Sequence, residues 1–417
     1  MIVHGFAGND PYPPRTGASQ RLFGLYRGIA SRHLTRVLAM VPNRQPGPAE
    51  EHVGGFQLVR HKAWYTSVAW RLEQAGLAPL FLAMYGHRLS ADCLRARLTG
   101  QPDVVMADIG VAGVLERASG ALRVYHAHNV EADHFASAGP RLLARDGWAA
   151  RLRALEARAC AHADRVVVTS EEDAARMQAL YGVAAERLAV VPNGFDETAL
   201  RAPTAAEHWA ARSALGVRDE ETVALLLGSD VPHNRAALDA MVQTVMPHTH
   251  GVRLLVVGSV SRALDGRRES WLIAAPETES LLPLLHASDV GVNPVSAGSG
   301  SNVKLPTYLA AGLAVLTTPH GLRGYADLAS SVQVAELPAF AEVLAAAEHG
   351  WAARGVDPPS ALARYAWGTL GDGLGATLER VLGGRSNAST GRPPAGDAPA
   401  ASRHAPSDGA ATGGSRA

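Results

Sequence analysis

The stretch Gly298-Ser299-Gly300-Ser301-Asn302-Val303-Lys304-Leu305-Pro306-Thr307-Tyr308-Leu309-Ala310-Ala311-Gly312, followed by the apolar run 313–316, decides how this chain is read. Two glycines alternating with two serines neither pack nor propagate a helix, whereas Leu305, Tyr308, Leu309 and Gly312 behind them recur at helical spacing. A small-residue loop therefore feeds a helix N-terminus. Such an end offers unpaired backbone N–H groups and the positive pole of the helix dipole to an anion, most often a phosphate. The plain alternative is a solvent loop before a surface helix, and composition alone favours it. Lys304 shifts the balance, because among 39 Lys and Arg residues only Lys62 and Lys304 are lysine. A chain so biased to arginine that places a compact ammonium one turn into an anion-ready helix suggests that a point charge is wanted there.

Working outward, the 417 residues with 47% hydrophobic content are enough for more than one core. The 39 basic and 39 acidic residues balance to a net charge of +0, which gives nucleic acid no support as a partner. Cys93 and Cys160 stand far apart without metal-ligand spacing, so neither a disulfide framework nor a zinc site is expected. No acidic metal cluster is visible, and no metal requirement is expected. The opening Met1-Ile2-Val3-His4-Gly5-Phe6 lacks the regions of a signal peptide, and no run reaches the ~18 apolar residues of a membrane span. A cytoplasmic protein is the expectation.

Residues 2–6 read as a strand, and a loop ending at Gly17 leads to a helix with Leu22, Leu25, Tyr26 and Ile29 on one face. No G-x-G-x-x-G opens that helix, so a hydride-transferring oxidoreductase loses its main support. Gly17 is either a turn glycine or a point of close ligand approach. Strands at 37–40, 104–107, 122–127, 165–170 and 188–191 alternate with helical pattern, as in a parallel sheet covered by helices. His128 and Glu131 follow the strand 122–127 at the carboxyl edge where open α/β sheets bind ligands, and His128 is preferred to His126 because it lies nearer the strand's end. Ser170 reads as an N-cap with Asp173 three residues on. Residues 64–98 carry Trp64, Tyr65, Trp70, Phe81 and Tyr85 among arginines. They fit a core helix with solvated arginines more readily than a helix resting on an anionic membrane, and both readings stay open.

The second half repeats this grammar with strands at 223–227, 254–257, 272–274, 290–292 and 315–317 and helices at 235–246 and 277–287. Two doubly wound sheets in tandem follow. Residues 364–382 form a last helical region, and 383–417 lack any large apolar residue and are expected to be disordered.

Several ordered pieces resemble the retaining family 4 glycosyltransferases of the GT-B fold. Pro13-Pro14-Arg15-Thr16-Gly17 is similar to the family's first loop, Tyr125-His126-Ala127-His128-Asn129-Val130-Glu131 to its histidine segment, and Val190-Val191-Pro192-Asn193-Gly194-Phe195-Asp196 to its domain crossing. Residues 298–318 resemble its donor loop and helix. The resemblance implies an α/β chain of two Rossmann-like domains facing a central cleft: an acceptor domain at 1–195, a donor domain at 196–365, a helix at 366–382 crossing back to bury Trp367 on the first, and a tail at 383–417. It implies that Gly17, Gly298, Ser299, Gly300, Ser301, Asn302, Val303 and Thr307 bind the donor, while His128 and Lys304 act at the reacting centre. Ser299 and Thr307 stand where the family pattern carries glutamates, and the loop 228–234 lacks the Arg and Lys that relatives direct at the diphosphate.

The implied reaction moves a sugar from a nucleotide-diphosphate donor to a saccharide or lipid-linked acceptor with retention, with no cofactor beyond that donor. The barrier lies in separating a sugar cation from the diphosphate, so the protein has to stabilise charge growing on the leaving group. Of the two open readings of 64–98, the less favoured one adds peripheral membrane contact at the inner face. The rival is a catalytically silent relative that binds a nucleotide or a partner protein, which the residues at Ser299 and Thr307 support.

Overall fold

In the computed structural model, residues 1–75, 98, 100–138, 145–276, 278, 280–297, 301–346, 351 and 360–390 are described. The first unit runs β1 (Ile2–Ala7), α1 (Gly17–Ala30), β2 (Leu34–Pro42), β3 (Glu50–Val53), β4 (Phe56–Ala63), α2 (Trp64–Gln74), β5 (Val104–Ala107), β6 (Leu122–His126), α3 (Glu131–Ala138), α4 (Arg145–His162), β7 (Arg165–Val168), α5 (Glu171–Tyr181) and β8 (Leu188–Val190). The second runs α6 (Ala205–Ala214), β9 (Thr222–Leu227), α7 (Pro232–Ala240), β10 (Val252–Val257), β11 (Leu272–Ala275), α8 (Leu282–His286), β12 (Val290–Asn293), α9 (Lys304–Ala310), β13 (Ala314–Thr317), β14 (Gln333–Val334) and α10 (Phe340–Ala346), and α11 (Trp367–Thr390) closes the described chain. The first sheet has the order β3-β4-β2-β1-β5-β6-β7-β8 and the second β11-β10-β9-β12-β13-β14. All pairings are parallel except β3 with β4.

The strands are legible because both faces of each sheet are covered. Val104, Val105, Met106 and Ala107 of β5 are all buried, with alternate residues feeding two separate cores. An uninterrupted apolar run is the signature of such a strand. α1 starts where Thr16 accepts from Ser19 N in a capping box, and its Leu22, Leu25, Tyr26 and Ile29 are buried.

Three strands escaped the sequence reading. β4 contains Gln57, Arg60, His61 and Lys62, so no apolar run betrays it. Arg60 is nonetheless 2% exposed, because Asp10 (2.7 Å), Glu51 and the carbonyl of Tyr12 (2.9 Å) satisfy its guanidinium. The polar β3 and the two-residue β14 give no periodic signal at all. The predicted helix 235–246 is α7 followed by a π-turn at Met241–Val245, and the one predicted at 277–287 is described only as α8. Of the stretch 64–98, 76–97 lies outside the described residues, as do Gly298, Ser299 and Gly300.

The chain crosses between units twice, side by side. Phe195 N donates to Tyr365 O and Trp367 N to Phe195 O, each at 3.1 Å. Only glycine fits at 194, where an added Cβ would lie 2.3 Å from Tyr365 O. α11 then lies on α1: Trp367 is 3% exposed, and a Cβ on Gly28 would come within 2.6 Å of the Gly371 Cα. The tail expectation needs a correction, because α11 continues past Leu382 to Thr390. Once Leu374 and Leu378 dock, each further turn costs little, and Arg385 pairs with Asp164 at 2.7 Å. Residues 391–417 lie outside the described residues. Arg385 is half-exposed, so a chain ending at Gly384 loses less than about 1 kcal/mol and still folds, as a thermal melt checks.

Candidate active site

The carboxyl edges of the two sheets face each other. At the first edge β1, β5, β6 and β7 deliver Gly8, Asp108, His128 and Thr169; at the second β9, β12 and β13 deliver Gly228, Asn293 and Thr318. The edges touch through the loop before α9. Ser301 N donates to Thr169 Oγ1 (3.0 Å), Ser301 Oγ accepts from Asn193 N (3.1 Å), and Ser301 O accepts from Asn193 Nδ2 (2.7 Å). Ser301 therefore latches the lobes in this conformation, its N–H committed to the first unit. Gly17, the first residue of α1, lies against the same loop: a Cβ there would rest 3.7 Å from Val303 Cγ2. Gly17, Ser301, Asn302, Val303 and Lys304 are thus brought together.

Lys304 is the first residue of α9, not one turn in, and it is 9% exposed. A relay of amides sets its position. Asn293 Nδ2 donates to Thr317 Oγ1 (3.2 Å) and Gly321 O (3.1 Å), Asn302 Nδ2 donates to Asn293 Oδ1 (2.8 Å), and Lys304 N donates to Asn302 Oδ1 (3.0 Å). The ammonium itself donates to Asn234 Oδ1 at 2.7 Å, whose Nδ2 is tied to Ser229 O at 3.0 Å. Among the described residues no carboxylate pairs with Lys304, and burial pulls its pKa down from 10.5 to about 8. A buried ammonium with neutral partners and no counter-ion is suited to receiving an anion. Thr307 is half-buried on α9, its hydroxyl donating to Val303 O at 2.8 Å.

On the first lobe, both ring nitrogens of His128 are buried without a hydrogen-bond partner among the described residues, and Nε2 lies 4.0 Å from Asp108 Oδ2. Burial, with the Arg21 guanidinium adding to it, pushes the His128 pKa down to about 3. Its imidazole is therefore neutral across the physiological range, able to donate or accept a hydrogen bond but not to act as a cation. Asp108 accepts from Gly8 N (2.8 Å) and Gly110 N (3.1 Å), while burial raises its pKa to about 6 against those bonds. Glu131, 3% exposed, is pushed well above the usual carboxyl range by burial and by Glu156. Glu156 in turn accepts from Tyr125 and Tyr181 hydroxyls and from Glu131 N.

Sequence reasoning missed Arg21, Asp108, Asn193, Asn234 and Asn293. Asp108 and Asn293 had a readable signal, a polar residue ending an apolar strand. Arg21 had none, since an arginine on a helix is ordinarily solvated. The open concavities of the first unit, one around Arg123, Asp164 and Arg385 and one around His4, Gln101 and Pro102, lie at the amino-terminal edge of its sheet, away from this cleft.

The pattern of Glycosyltransferase Family 4 matches residues 15–199. No curated protein matches the chain in sequence. Among solved structures, sucrose-phosphate synthase from Thermosynechococcus elongatus aligns with TM-score 0.71 at 14% identity, covering 92% of this chain and 100% of its own. The catalytic domain of starch synthase IV from Arabidopsis thaliana, bound to ADP and acarbose, aligns with TM-score 0.64 at 14% identity over 93% of this chain and 99% of its own. Anabaena HepE, in complex with UDP and glucose, aligns with TM-score 0.60 at 15% identity over 91% of this chain and 100% of its own. Two parallel sheets facing across a cleft, with a last helix returning to the first, give this chain the GT-B fold. It is family 4-like, with the family's pattern lying on the first unit.

Proposed function

We propose that the enzyme transfers a sugar from a nucleotide-diphosphate donor to a saccharide or lipid-linked acceptor with retention of anomeric configuration. The observation that carries this is Lys304, a buried ammonium with no counter-ion among the described residues, which directly follows Val303, the residue lying against Gly17 at the start of α1. As the bond from the anomeric carbon to the diphosphate oxygen breaks, that oxygen keeps the electron pair, and Lys304 stabilises the charge. The acceptor oxygen forms the new bond on the same face and its proton passes to the departing diphosphate. Neutral His128 positions sugar or acceptor hydroxyls. A nucleotide donor is supported by HepE with UDP and starch synthase IV with ADP. The test offers UDP-glucose and ADP-glucose with saccharide and polyprenyl-phosphate acceptors and reads product configuration by NMR. An α-linked product from an α-donor is expected; an inverted product, or no nucleoside diphosphate release with any pair, overturns the reading.

The lipid-linked alternative has its own support. α2 follows β4 at the cleft edge and exposes Trp64 (68%) and Val68 (44%), which share a face with the exposed Arg71. An aromatic, apolar and cationic face of this kind suits an anionic bilayer surface. Among the described residues no helix is long and apolar enough to cross a membrane. Co-sedimentation with phosphatidylglycerol vesicles is expected, with Trp64→Ser lowering it severalfold; binding that is absent, or equal with phosphatidylcholine, removes the membrane contact.

A further inference from the structure

Among the described residues His128 makes no hydrogen bond through its ring that would fix the imidazole, so its place in the cleft is set by the backbone on either side. On the near side Ala127 N donates to Val167 O of β7 at 2.9 Å, which ties the end of β6 into the sheet. Only His128, Asn129 and Val130 separate that anchor from Glu131, the first residue of α3. The far anchor is not local. A helix start wants a side-chain oxygen to accept its first N–H groups, and Val130, immediately before α3, has none. Glu156 of α4, 25 residues beyond Glu131, supplies both oxygens: Oε1 accepts from Glu131 N at 3.0 Å and Oε2 from Ala132 N at 3.3 Å. Two phenols aim the carboxylate, Tyr125 OH of β6 donating to Oε1 (3.1 Å) and Tyr181 OH of α5 to Oε2 (2.7 Å).

We propose that Glu156 is a positioning residue for sugar transfer: its carboxylate holds the start of α3, and through it the three-residue turn that carries His128. The inference rests on the reading of His128 given under the proposed function. Four donors converge on Glu156, so of the two neighbouring carboxyls it holds the charge and Glu131 keeps the proton. Burial and the charge of Glu156 keep the Glu131 pKa well above the usual carboxyl range, in agreement with that division. The charge also sits at the positive end of the α3 dipole. Glu156 is fully buried, so water does not take its place when it is removed. Glu156→Gln keeps the shape, but whichever way the amide turns, its NH2 meets a backbone N–H that can only donate. The start of α3 then shifts, and His128 shifts with it.

Kinetics of the whole protein test this, with UDP-glucose or ADP-glucose as donor and saccharide or polyprenyl-phosphate acceptors. Glu156→Gln is expected to lower kcat by about tenfold, since a misplacement of about 1 Å costs up to about 10²-fold, and to move donor KM by less than about twofold. General loosening of the fold could give a loss of the same size. A double-mutant cycle with His128→Ala separates the two, because a residue that acts through His128 costs little more once the imidazole is gone. Tyr125→Phe keeps the ring and removes one bond to the carboxylate. It goes through the same cycle, with a smaller non-additive loss expected, and carries the test if Glu156→Gln does not fold. Equal losses with and without His128, or a lowered melting temperature at native kcat, overturn the inference alone. If His128→Ala leaves turnover at the native value, or no pair of substrates turns over in the native protein, the reading of the site falls and takes this inference with it.

Discussion

Lys304→Met lowers kcat/KM by ~10²-fold or more, and by a larger factor than it weakens nucleotide binding. The asymmetry follows from the position of the ammonium, whose anion gains charge as the glycosidic bond breaks. The same variant carries a second signature in stability. The folded pKa of Lys304, about 8, lies below its unfolded value of 10.5, so between those values the unfolded chain holds more protons than the folded one. Stability attributable to this residue therefore rises with pH through that window, and its penalty is present in full below about pH 8. Relative to Lys304→Met, the native protein gains ~3 kcal/mol between about pH 7 and about pH 10. Asn234 Oδ1 loses its donor in the variant at every pH, an offset that leaves the slope untouched. Urea melts across pH, paired with turnover, check both. A solvated surface lysine would move neither, so unchanged turnover together with a flat stability difference returns the loop to a surface role.

How far the sequence reaches is set by whether a feature is local. The parallel strands were legible since burial on both faces demands an apolar run, and β5 and β9 show one. β4 was not, because its buried Arg60 is compensated by Asp10 and Glu51, which reach it through the folded structure. The same division runs through the site. Lys304 could be found as a chemical anomaly beside a glycine-serine loop, whereas its partner Asn234 lies 70 residues away and becomes one only when α7 and α9 meet. The family resemblance puts Ser301 among the residues that bind the donor. Its N–H instead meets Thr169 on the other lobe, a contact that local sequence cannot announce.

Arg21→Met destabilises the protein by ~3 kcal/mol and raises KM for the donor, although Arg21 stands outside the reacting centre. Arg21 is 1% exposed, and burial lowers its pKa only to about 10, so it remains charged inside the first unit. What holds it there is a set of neutral acceptors. Nε donates to His126 Nε2 (2.8 Å), and NH1 to Val191 O (2.8 Å), Pro192 O (3.2 Å) and Asn193 Oδ1 (3.2 Å). Methionine fills most of the volume and leaves those acceptors without a donor, at about 1–3 kcal/mol for each group that water cannot reach; relief of the guanidinium's desolvation offsets part of the sum. The consequence passes along the crossing segment. Asn193 anchors Ser301, and Tyr325 OH donates to Asn193 O at 3.0 Å, so an unsupported Asn193 loosens the loop that leads into Lys304. Arg21→Lys separates charge from shape. An ammonium restores the charge and not the planar fork that spans His126 and the 191–193 backbone, so it recovers little of either loss. Urea unfolding of the two variants, with donor KM and kcat measured separately, decides the matter: stability within about 0.5 kcal/mol of native for Arg21→Met, or full rescue by lysine, means that the fork does not hold the lobes in register.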